Sequence, residues 1–119
     1  MVFEKRIKIP LYGGSFTIIL YKQSEQLQSM FKDLEFQPSI EDFDAGVFSE
    51  NSRLYAVFST KQKNYPTPGI IAHEAKHLVN HIFNDINHRL DSWNDEPECY
   101  LLGYIVDEIH KTIEKSKNS

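Results

Sequence analysis

From Thr67 to Asn87 the apolar residues return with the period of an α-helix. At 100° per residue, Ile71, Ala75, Leu78, Val79, Ile82 and Ile86 share one face. Thr67 suits the N-cap, and Pro68 the first helical position, where a missing N–H costs nothing. A helix with so continuous an apolar stripe must bury it against a second layer, which the rest of the chain has to supply. The opposite side carries His73, His77, Asn80, His81 and Asn84. These histidines therefore stand off the stripe that makes the core.

The first half of the chain supplies strands. Ile7, Ile9 and Leu11 alternate with polar residues and Pro10, "YGGS" reads as a turn, and "FTIILY" is β-branched and aromatic, so a hairpin is expected. Ser24 can cap a short helix whose Leu27, Met30, Phe31 and Leu34 fall at i, i+3, i+4 and i+7. "AGVFS" and "RLYAVFS", separated by "ENS", predict a second hairpin, and "NYPTPG" stops the sheet. Beyond "HRLDSWN", a last helix is expected, with Asp95 and Glu98 spaced as a capping box. Its core face is Leu102, Ile105, Val106, Ile109 and Ile113, and Gly103 in its interior predicts the close approach of another helix. The order is ββαββαα, an α+β fold with a small antiparallel sheet packed against helices. With 119 residues and no linker or repeat, one domain is expected, with residues 113–119 as a frayed tail.

Composition narrows the function classes. A net charge of −4, spread evenly along the chain, argues against nucleic acid or an anionic membrane as partner. No apolar run approaches the roughly 20 residues that span a bilayer, and "MVFEKRIKIPLYGG" is not a signal peptide. A single cysteine, Cys99, excludes an internal disulfide and fits a reducing compartment, so a cytoplasmic location is expected. Cys99 lies near the last helix's apolar face and is read as buried packing, and His110 as an exposed residue near the C-terminus.

Within the polar stripe, His73-Glu74-Ala75-Lys76-His77 reads H-E-x-x-H. Two histidines four apart lie on one helical face, about 5–6 Å between Cβ atoms, which suits two ligands of one ion. Glu74 between them can reach a metal-activated water without ligating the metal. In a chain of this make-up the pattern arises by chance about 2 times in 100, and a solvated polar face is the bland alternative. Its position just after a strand and a proline-rich turn, with an acidic cluster downstream, favours the metal. Glu96 and Glu98 compete as third ligand, with Asp95 and Asp91 behind them; Glu98 has a sufficient role as the reciprocal cap, which favours Glu96.

"IIAHEAKHLVNHIF" followed by "NDEPECYLLGYI" resembles the zincin-like metallopeptidases of the glutamate-ligand type. It is similar to a small group common in phage and mobile-element genomes, in which H-E-x-x-H precedes an N-D-E-x-x-x-Y-L-x-G segment. It is more distantly similar to ImmA/IrrE-type peptidases. The motifs cover residues 67–106, a third of the chain. The resemblance implies a zincin-like fold, Zn2+ on His73, His77 and Glu96, Glu74 as catalytic base, and a polypeptide substrate. It also implies that the strand before the metal helix, "RLYAVFS", is a sheet edge to which an extended peptide could add. The chain departs from larger members in having no room for a second subdomain. No motif identifies the oxyanion-stabilising residue, for which Tyr100, Tyr104, His81 and His88 are candidates. The rival expectation is a non-enzymatic module that uses the same scaffold to bind a protein partner.

Overall fold

The computed structural model describes residues 2–31, 45–61 and 65–117. The elements run β1 (Phe3–Lys8), β2 (Ser15–Tyr21), α1 (Ser24–Met30), β3 (Ala45–Glu50), β4 (Arg53–Ser59), α2 (Pro68–Asp85) and α3 (Glu96–Ser116). Together they make an α+β fold of three helices and one four-stranded sheet. Leu34, expected on the first helix, lies outside the described residues.

Each hairpin closes through residues that tolerate positive φ. Leu11 (φ 70°), Gly13 (φ 74°) and Gly14 (φ 78°) turn the chain between β1 and β2. Leu11 is thus a turn residue, 96% exposed, rather than the third member of an alternating strand. Asn51 (φ 51°) and Ser52 (φ 64°) form the two-residue β3–β4 loop, in the left-handed conformation that matches the twist of a hairpin.

The sheet order is β1-β2-β4-β3. The two hairpins are antiparallel, but they join through a parallel β2–β4 pairing in which Phe16 stands opposite Leu54 and Leu20 opposite Phe58. The sheet is therefore mixed, which corrects the antiparallel expectation. The physical reason is connectivity: a parallel neighbour needs a crossover, and α1 lies in the connection from β2 to the second hairpin. β4 is also an interior strand, and the edge on its side is β3.

Both central strands are covered on both faces. Phe16, Ile18, Leu20, Ala56 and Phe58 pack with Ala75, Leu78 and Val79 of α2 and Ile105 and Ile109 of α3. Ile19 and Val57, on the other face, pack with Leu27 and Phe31 at α1. Such two-sided burial explains the unbroken apolar runs "IIL" and "AVF", where a half-exposed strand would alternate.

Helix ends follow sequence in one case and depart in two. Thr67 Oγ1 accepts from the Ile70 N–H at 3.1 Å, and Pro68 opens α2. At α1 the cap is Gln23 rather than Ser24, and Gln26 Oε1 reaches back to accept from the Lys22 and Gln23 N–H groups. At α3, Asp95 is the cap residue but its side chain makes no capping bond, so the expected Asp95–Glu98 box is absent. Glu98 is drawn across to α2 instead.

The buried face of α2 is Ile71, Glu74, Ala75, Leu78, Val79, Ile82 and Phe83, and Ile86, just past the helix end, is 40% exposed. α3 buries Leu101, Ile105, Ile109, Thr112 and Ile113, so its core stripe is rotated slightly from the expected one, with Leu102 and Val106 at the margin. Residues 113–116 are helical and Ile113 is buried, so they do not form the frayed tail expected from 113. A Cβ built on Gly103 meets nothing within 4 Å, so no close helix approach requires this glycine. We therefore expect Gly103→Ala to stabilise the protein by about 0.5–1 kcal/mol through helix propensity alone. Urea unfolding measures it, and a loss of stability would show that the position is crowded.

Candidate metal centre and its surroundings

α2 runs beside edge strand β3, and its helical phase decides which side chains enter the gap. Glu74 follows His73 by 100° and points toward the sheet. Its side chain is 9% exposed, whereas that of His73 is 69% exposed. The groove between the two elements, about 310 Å3, is lined by Ala45–Phe48 of β3 and by His73, Glu74, His77 and His81 of α2.

His73 Nε2 and His77 Nε2 lie 3.2 Å apart, and His73 Nε2 is 3.8 Å from Glu74 Oε2. One ligand atom from each of His73, Glu74 and His77 can be chosen so that all lie within 4.8 Å of one another, a group that can hold a metal ion. Two imidazole nitrogens sharing a tetrahedral zinc, each at about 2.0–2.1 Å, stand about 3.3 Å apart. The observed 3.2 Å fits that requirement.

The acids downstream take other places. Among the described residues the candidate metal group contains neither Glu96 nor Glu98. Glu96 lines a separate pocket with Pro10, Tyr12, Tyr100 and Tyr104, so the structure does not bring it to the histidines as a third ligand. Glu98, two residues on and about 200° around the helix, is the acid that faces α2. It pairs with Lys76 Nζ, which also donates to Asn80 Oδ1 at 3.0 Å. Lys76, one residue before His77, is therefore the α2 partner of the Glu98 carboxylate. Sequence spacing could not reveal this contact, because it depends on how α3 is rotated against α2.

The oxyanion candidates separate in the same way. Tyr104 Oη donates to the Lys8 carbonyl at 3.1 Å, tying α3 to the end of β1, and Tyr100 is 76% exposed beside it. Both line the Glu96 pocket and neither lines the histidine groove. His88 packs its ring edge-on against Phe83, with centroids 4.5 Å apart, in a helix-terminating role. His81 alone of the four shares the groove with His73, Glu74 and His77. Cys99 is exposed rather than buried. Desolvation and the carboxylates of Asp95, Glu96 and Glu98 hold its thiol above the ordinary value, which makes it a poor nucleophile. The β3 residues of the groove were missed from sequence, since no local pattern tells which strand flanks the helix.

Comparison of the chain with protein-family models, with curated proteins and with solved structures finds no match. Among the described residues, no helix is long and apolar enough to cross a membrane.

Burial raises the pKa of Glu74 above its ordinary value of 4.5, while His73 and His77 pull it down. Because folding raises this pKa, the folded chain holds the proton more tightly than the unfolded one. The resulting stabilisation is fully present below about 4.5 and is lost as pH rises through the raised folded value. Glu74→Gln, which cannot ionise, escapes that loss. In metal-free protein its stability advantage over wild type should grow from acid to neutral pH, measured as urea midpoints. Parallel profiles would show that the carboxyl is not desolvated.

Proposed function

We propose that the protein is a zinc-dependent peptidase, with His73 and His77 holding the ion and Glu74 acting as its base. The observation that carries this reading is the 3.2 Å separation of the two imidazole nitrogens beside a buried carboxylate in one groove. Zinc held there would supply Lewis-acid activation of a water molecule and a carbonyl oxygen. Glu74 Oε2 takes a proton as the water oxygen bonds to the peptide carbonyl carbon. The same atom then returns it to the leaving nitrogen as the C–N bond breaks.

The substrate in this reading is a polypeptide. Among the described residues β3 is the last strand on this side of the sheet and borders the groove, and an extended segment pairing with it would be carried past Glu74. The edge is β3, not the "RLYAVFS" strand that the resemblance implied. The zincin-like fold, the relation to phage and mobile-element peptidases and a cytoplasmic location belong to the same proposal.

One observation favours a second reading, a non-enzymatic protein-binding module. Among the described residues neither Glu96 nor Glu98 joins the histidines, and Glu98 is paired with Lys76. A site with two imidazoles and a carboxylate that must stay free as base holds zinc less firmly than one with three ligands.

Two measurements separate the readings. Elemental analysis of protein purified without a metal-binding tag should give about one zinc per chain, lost on chelation; no transition metal after zinc is supplied would end the metal proposal. Glu74→Gln should keep the zinc and lose hydrolysis by at least about 100-fold, the scale of general-base catalysis. Zinc retained by both proteins, with no hydrolytic product from wild type on a polypeptide library, would favour the binding module.

A further inference from the structure

The pocket that receives Glu96 has its own chemistry, independent of the histidine groove. It encloses about 360 Å3, within the range of small-ligand sites. Its walls include three tyrosines, Tyr12, Tyr100 and Tyr104, and two prolines, Pro10 and Pro97. Glu96 is the one acidic or basic side chain in the lining.

Two of the three rings are fixed. Tyr104 is held by its hydroxyl on the Lys8 carbonyl, and Tyr12 stands edge-on to Phe83 with centroids 5.5 Å apart. Tyr100, on the same lining, is 76% exposed. An aromatic wall with preset rings attracts a cation through the negative faces of the rings, at little ordering cost. The carboxylate selects the same sign. A purely apolar guest would gain contact with the prolines, Leu11, Leu101 and the rings but leave Glu96 without a partner, and an anion would be repelled.

We infer that this pocket is a recognition site for an arginine side chain of a protein or peptide partner. A guanidinium is planar, so it stacks on a tyrosine face while its N–H fork meets a carboxylate. Its three-carbon stem is apolar and lies against the prolines. An ammonium offers a compact, strongly hydrated charge with no flat face, and should bind less well.

The test uses the whole protein, zinc-loaded where it takes zinc, with tyrosine ring signals followed by NMR. The probe is N-acetyl-arginine amide, set against the lysine, norleucine and glutamate amides. Arginine amide should shift the rings of Tyr12, Tyr100 and Tyr104 with a roughly millimolar dissociation constant. The norleucine and glutamate amides should leave them in place. Glu96→Gln should weaken arginine binding about fivefold, and Tyr100→Ala about threefold. Equal binding of norleucine amide, or arginine binding unchanged by Glu96→Gln, would overturn the inference. So would loss of zinc in Glu96→Gln, since the carboxylate would then belong to the metal. Failure of the zinc proposal itself leaves the arginine result unaffected.

Discussion

The seating of α2 on the sheet is the contact on which the site depends. Ala75, Leu78 and Val79 are fully buried there, and they fix the rotation of the helix. Once they are fixed, His73 and His77 have to face solvent, and Glu74 has to fall on the border between helix and edge strand. The carboxyl is desolvated because it follows one exposed residue and precedes a buried one. Its raised pKa is thus a consequence of helical phase, and no other charged group needs to be arranged to produce it. A helix rotated by half a turn would bury both imidazoles and expose the acid.

The seam between α2 and α3 sorts the acids. Glu96 and Glu98 are separated by about 200° around α3, so packing of that helix must send them to different neighbours. Leu101, Ile105 and Ile109 turn Glu98 inward to Lys76, and leave Glu96 among the tyrosines. The same rotation sends the Glu98 side chain to Lys76, so it is not the reciprocal cap of the helix end. One packing choice therefore settles the partner of each carboxylate.

What the sequence made legible was local. The α2 stripe, its Thr67 cap, the two turns and the element order all follow from patterns a few residues long. The juxtaposition of His73 and His77 follows from a four-residue spacing in a helix. What stayed hidden was non-local. Nothing near "RLYAVFS" tells that it lies between β2 and β3, although its unbroken "AVF", matched by "IIL" in β2, carried a hint of two-sided burial. The rotation of α3 was misjudged because Leu101 and Leu102 are both apolar and the pattern tolerates either. Gly103 was misread because a glycine in a helix signals close approach only when a neighbour is actually there.

The parallel junction between β2 and β4 bears on how the protein folds. Each hairpin can close through its own short loop, so most of the sheet's pairing is local and cheap in chain entropy. Only the β2–β4 ladder joins distant segments, Phe16 with Leu54 and Tyr21 with Ser59. Loop closure across that span must precede the contacts that reward it, which makes docking of the two hairpins the slow event. α2 is seated across that junction, since Ile18 and Ala56, from its two sides, belong to one core with Ala75 and Leu78. The groove that holds the histidines and Glu74 therefore rests on a junction between segments far apart in sequence.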